Sequence, residues 1–187
     1  MYAPELTAEG FLPVGRFPST IDSLEGAFVD AERFTESSTR GPIFEDFLGA
    51  IDIISAFGEG LIESLWVGGS FVTDKLDPDD IDCLFVLNQE AFDAISSNGK
   101  RTKLRKFNKK NYMRETTGLR VESFLMVRLP FAQPWLSGGV HPDVQTYTQL
   151  RGAWDDWWLR TRTGETADEP PRIESAHPRR GYLEVTL

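Results

Sequence analysis

Trp66-Val67-Gly68-Gly69-Ser70, nine further residues, and then Asp80-Ile81-Asp82 opening the run Cys83-Leu84-Phe85-Val86-Leu87: this interval decides how the chain reads. Leu65-Trp66-Val67 is a short apolar strand that ends in a glycine pair. Two glycines after a strand let the backbone come close to a ligand and turn its amides toward it. A helix beginning at Ser70 would add unpaired amides and a dipole that favours an anion. The Ser70 hydroxyl can bond a phosphate oxygen. Taken alone, the turn also fits a plain structural corner.

Asp80 and Asp82 change its weight. Residues i and i+2 of a strand share a face, about 6.5 Å apart along the chain. Two carboxylates so placed can share one Mg²⁺, or bracket two ions about 3.5–4 Å apart. Burying like charges together is costly without a cation. The competing reading puts both acids in the solvated turn Asp77-Pro78-Asp79-Asp80. Asp77 and Asp79 flank Pro78 and belong to that turn. Lys75 lies five residues after Ser70 and faces either a phosphate or solvent.

Outward from this interval the pattern is that of an α/β domain with a mixed sheet. Ile81–Leu87 is a nearly continuous apolar run, as in a central strand covered on both faces. Leu119–Leu129 reads as another strand, stopped by Pro130, and Gly181–Leu187 as a last one. Residues 1–18, with Pro4, Pro13 and Pro18, read as an extended surface arm. Ser19 or Thr20 caps a helix starting at Ile21, whose Ile21, Leu24 and Phe28 share a face. Gly41-Pro42 opens a stronger helix with Phe44, Phe47, Leu48, Ile51, Ile54 and Phe57 as its buried stripe, closed by Gly58 and Gly60. Gln89–Ile95 reads as a short helix. Thr148–Leu159, with Trp154, Trp157 and Trp158, reads as a helix anchored to the core, and residues 161–180 as a polar loop.

All 187 residues read as one domain: an arm and helices over 1–60, a core over 61–130, and a helix and strand over 131–187. Hydrophobic residues make up 40% of the chain and the net charge is −9, which argues against a general nucleic-acid coat protein. The charge is uneven. Residues 100–120 hold nine bases against one acid, Glu115, which leaves −17 on the remainder. Such a segment is either a solvated face or a phosphate contact. Only Phe107 and Tyr112 supply aromatic faces there, so no extended stacking platform is expected. No apolar run approaches the roughly 20 residues of a membrane span, and the N-terminus lacks signal-peptide character. A single cysteine, Cys83, excludes an internal disulfide, and the cytoplasm is the expected compartment. His141, His177 and Cys83 have no zinc spacing, and Walker A and serine-hydrolase motifs are absent.

The interval Gly-Ser, nine residues, Asp-Ile-Asp and then apolar strand resembles the signature of the polymerase-β-like nucleotidyltransferase superfamily. GFLPVGRFPST, WVGGSFVTDKLDPDDID and RRGYLEV together resemble an uncharacterised bacterial and phage family of nucleotidyltransferase-like proteins, over nearly the whole chain. The resemblance implies a nucleotidyltransferase core with flanking helices and an N-terminal helical segment. It implies that Gly69 and Ser70 bind the triphosphate of an NTP such as ATP, and that Asp80 and Asp82 bind Mg²⁺ or Mn²⁺; Gly68, beside them in the turn, and Lys75 are further candidates for phosphate contact. Active members of the superfamily carry a third acid on a neighbouring strand. Glu122, in Arg120-Val121-Glu122-Ser123-Phe124, is the candidate, to complete the metal site and draw a proton from the attacking hydroxyl. A surface-facing glutamate is the alternative.

The expected activity is transfer of a nucleotidyl group from an NTP to a hydroxyl on a protein, an RNA or a small molecule. Residues 100–120 are the expected contact for an RNA or protein acceptor. Small superfamily members imply a toxin–antitoxin or phage-defence setting. The alternative is a non-catalytic relative serving as antitoxin, nucleotide sensor or subunit that binds a partner protein.

Overall fold

A computed structural model of the protein describes residues 3–133, 141–162 and 169–187. The strands among them are β1 (Gly15–Thr20), β2 (Ile62–Gly68), β3 (Ile81–Asn88), β4 (Val121–Arg128) and β5 (Gly181–Thr186). The helices are α1 (Ile21–Phe28), α2 (Arg40–Ser55), α3 (Gln89–Ala94), α4 (Asn98–Lys106), α5 (Tyr112–Thr117) and α6 (Pro142–Trp158). The strands form one mixed sheet in the order β1-β5-β2-β3-β4. β1 runs parallel to β5 and β3 parallel to β4, while β2 is antiparallel to both β3 and β5.

The apolar run of β3 is explained by cover on both faces. Ile81, Cys83, Phe85 and Leu87 join a core with Leu24 and Phe28 of α1 and with Phe44, Phe47, Ile51 and Ile54 of α2. Leu84 and Val86, pointing the other way, pack with Trp66, Met126, Tyr182 and, from α6, Tyr147 and Trp158. Strand alternation therefore puts Asp82 on the α6 side of the sheet. The stripe expected of α2 is largely buried, with Leu48 and Phe57 at its margin. The Thr20 hydroxyl caps α1 by accepting from the Ser23 amide at 3.3 Å.

Three boundaries depart from the sequence pattern. The arm ends as a strand, since residues 15–20 pair along β5 from Gly15↔Gly181 to Thr20↔Thr186. Pro18 gives β1 no amide donor at that position, which a sheet edge tolerates. α6 begins at Pro142, because His141 caps it and proline fits a first turn, although its early residues are polar. Ser70–Val72 is a single 3₁₀ turn and not the start of an α-helix, so the helix dipole expected at Ser70 is not there. Among the described residues, no helix is long and apolar enough to cross a membrane.

Phe47 is fully buried at the centre of the larger core. Phe47→Ala is expected to cost about 3–5 kcal/mol in urea unfolding; a loss under about 1 kcal/mol would contradict this packing.

Candidate functional site

The register of the two parallel central strands brings the acids together. Asp82 is the direct partner of Glu122 across β3 and β4, so both side chains leave the same face of the sheet. Asp80 lies just before β3, outside the strand, and its charge reaches both Asp82 and Glu122. Across the antiparallel neighbour, Asp82 is paired with Gly68, where β2 turns. The site is thus assembled at one end of three adjacent strands.

Each glycine of the pair has its own reason. Gly69 has φ +69°, and a Cβ there would lie 1.7 Å from Asp82 Oδ2. Its bare backbone is what allows the Asp82 carboxylate to sit against the turn. A Cβ on Gly68 would meet Trp158 Cε3 at 2.5 Å, so Gly68 admits the end of α6. Gly69, Ser70 and Lys75 line a cavity of about 730 Å³, together with Asp82, Phe11, Trp157, Trp158, Arg160, Thr161, Arg162 and Arg180. Gly68 stands behind it, under Trp158.

The electrostatics follow from crowding. Burial, then the neighbouring Asp80 and Glu122 charges, push the Asp82 carboxyl up to about 7, with Arg180 pulling against them. Burial also raises Asp80, offset in part by Arg114. Glu122 is raised mainly by burial, although both its oxygens accept from the Asn111 amide, at 3.1 and 3.0 Å. Asn111 offers that amide from a left-handed turn (φ 60°) at the head of α5. Among the described residues, no group of three or more His, Cys, Asp or Glu side chains stands close enough to share a metal ion. The all-oxygen donor set of Asp80 and Asp82 nevertheless suits a hard cation such as Mg²⁺.

Lys75 carries an ion pair with Asp79 at 2.7 Å at the rim of the cavity. Asp77 does belong to its turn: it accepts from the Ser38 amide at 2.8 Å and from the Ser37 hydroxyl at 3.1 Å. The basic segment divides. Leu104, Phe107 and Met113 enter the core. Arg120 pairs with Asp46 at 2.7 Å, and Arg114 donates to the Asp79 carbonyl at 2.9 Å, beside the acids.

Two arginines escape the sequence reading. Arg180, 9% exposed, donates to the Gly69 carbonyl at 2.9 Å and faces Asp82 across the cavity. Arg40, 1% exposed, donates to five backbone carbonyls: Phe28, Phe71, Thr73, Lys75 and Leu76, at 2.6–3.2 Å. Its guanidinium lies 3.6 Å from the Phe34 ring centroid. Burial lowers it to about 10, still protonated at neutral pH. It fixes the loop that joins the glycine turn to the acids. Arginine directly before an apolar-striped helix, and arginine directly before a strand, were the only cues in the sequence.

Two outcomes follow. Arg40→Lys offers three donors to five carbonyls, so at least two go unmet and stability should fall by about 2 kcal/mol or more in chemical unfolding. An unchanged midpoint would show that the loop does not depend on the guanidinium. The raised acids bind more protons folded than unfolded, so without divalent cation stability should decline as pH rises from about 4 through 7. Asp82→Asn should remove much of that decline and raise the melting temperature at pH 8 more than at pH 5. An equal shift at both pH values would contradict a raised Asp82.

A family model described as a family of unknown function, DUF6932, matches residues 4–186. No curated protein and no solved structure matches the chain. By the extent of that match, the protein belongs to the DUF6932 family.

Proposed function

We propose that the protein is a metal-dependent nucleotidyltransferase that moves an NMP group from an NTP to an acceptor hydroxyl. One observation carries this reading: the Asp82–Glu122 register stands directly beside the Gly69–Ser70 turn and its arginine-lined cavity. A cavity of about 730 Å³ is in the range of small-molecule sites. Arg160, Arg162, Arg180 and Lys75 offer charge to a triphosphate, and Trp157 offers an apolar wall to the base. Asp80 and Asp82 would hold Mg²⁺ or Mn²⁺, which when bound supplies charge neutralisation at the phosphates. Glu122, with its proton affinity raised, accepts the proton of the attacking hydroxyl. The hydroxyl oxygen bonds to the α-phosphorus, the bond to the bridging oxygen breaks, and pyrophosphate leaves. Gly69 and Ser70 present the turn to the phosphates, and Arg40 keeps that turn in place. A toxin–antitoxin or phage-defence setting is the biological context this reading suggests.

A second reading has an observation of its own. The Asn111 amide takes both Glu122 oxygens, which leaves that carboxylate already engaged. This favours a non-catalytic member of the fold that binds a nucleotide as a sensor, antitoxin or partner-binding subunit.

Incubation with each radiolabelled NTP, Mg²⁺ or Mn²⁺ and cell extract separates the two. The enzyme predicts label transfer that is lost in Asp80→Ala/Asp82→Ala and falls at least about 100-fold in Glu122→Gln. Metal-dependent NTP binding without transfer identifies the sensor. Neither binding nor transfer with any NTP overturns both.

A further inference from the structure

Residues 100–110 form the most strongly basic surface of an otherwise acidic protein. Lys100, Lys103, Lys106, Lys109 and Lys110 are all exposed, and none of them has an ion-pair partner among the described residues. Packing explains the apolar members of the segment, since Leu104 and Phe107 are buried, but it does not explain five exposed lysines. On α4, Lys100, Lys103 and Lys106 recur every third residue and so share one side of the helix.

The chain then runs along the outer edge of β4 toward the acids. The Phe107 carbonyl accepts from the Ser123 hydroxyl at 2.6 Å, and Asn108 Oδ1 accepts from the Leu125 amide at 2.9 Å. The Asn111 amide ends the run at Glu122. Lys110 and Arg114 both act electrostatically on Glu122, and Arg114 also on Asp80. A row of positive charge therefore begins on α4 and finishes at the carboxylates, on the side of them away from Gly69.

From this arrangement we infer that the acceptor is a polynucleotide, its phosphate backbone lying along Lys100–Lys110 and its 3′-terminal hydroxyl delivered to Glu122. The inference rests on the nucleotidyltransferase reading for its chemistry, but not for its binding. The 3′ oxygen bonds to the NTP α-phosphorus, its proton passes to Glu122, and pyrophosphate departs, lengthening the strand by one nucleotide. With Phe107 buried, Tyr112 is the segment's one partly open aromatic side chain, so recognition is of backbone charge and not of stacked bases.

Fluorescence anisotropy with a 5′-fluorescein RNA of mixed sequence, without NTP, tests the docking. Five phosphate contacts predict a slope of about −3.5 for the logarithm of the affinity against that of salt concentration. Lys103→Glu/Lys106→Glu/Lys109→Glu should flatten the slope by about 2 and weaken binding at least tenfold at low salt. A circular-dichroism melt of the variant checks that it is folded. No salt-dependent binding by the wild-type chain, or equal binding by the folded triple variant, overturns the inference. So does equal capture of a poly-glutamate peptide, which would mark the surface as a site for acidic protein. Asp80→Ala/Asp82→Ala should bind the RNA undiminished. RNA binding without transfer from any NTP sinks the enzyme and spares the docking surface; transfer to another acceptor without RNA binding does the reverse.

Discussion

The guanidinium of Arg40 is the constraint on which the rest of the site depends. A loop that leaves a strand at Gly69 and returns at Asp80 exposes carbonyls that no sheet or helix satisfies. Arg40 gathers four of them, from Phe71, Thr73, Lys75 and Leu76, and ties them to the Phe28 carbonyl at the end of α1. A buried cation is costly unless it is fully hydrogen-bonded, and five acceptors with an aromatic face on Phe34 meet that condition. Asp77 adds a negative charge nearby and is itself held by Ser37 and Ser38 at the head of α2. The loop's path is thus tied to the N-terminal helices through Arg40 and to the N-terminal arm through the Phe11–Thr73 bridge.

The sheet then turns that path into a site. β3 is pinned between β2 and β4, so the glycine turn, Asp82 and Glu122 are fixed side by side by ladder hydrogen bonds. Arg180 closes the arrangement from the start of β5, through the Gly69 carbonyl. The sheet's edges are treated differently. β4 is lined by residues 107–111, while β1 carries Pro18 and has no strand beyond it among the described residues. That distribution leaves the basic segment, and not β1, adjoining the acids.

Much of this was legible in the sequence wherever one residue's neighbours along the chain decide its state. The run Ile81–Leu87, the stripe of α2 and the Thr20 cap are local patterns with local causes, and each formed as its pattern implies. Asp80 and Asp82 stood out by type and spacing, and Glu122 by the resemblance to a superfamily with a third acid; only the register of β3 and β4 shows that Asp82 and Glu122 are neighbours. Arg40 and Arg180 were not legible, because their partners lie 31 or more and 111 positions away in the chain for all but one of their bonds. An arginine destined for a buried carbonyl cluster looks the same in sequence as one destined for water. β1 was missed for a related reason: Pro18 argues against a strand until the parallel partner β5 and its edge position are known.

The contact between Gly69 and Asp82 has a consequence for how this sequence can change over time. With Asp82 Oδ2 occupying the space of the missing Cβ, a side chain at position 69 would have to displace that carboxylate. Shortening residue 82 would clear the space but not the strain, because φ +69° disfavours any side chain at Gly69. The glycine is thus held on two counts, and a descendant sequence that gave up Asp82 would still need Gly69.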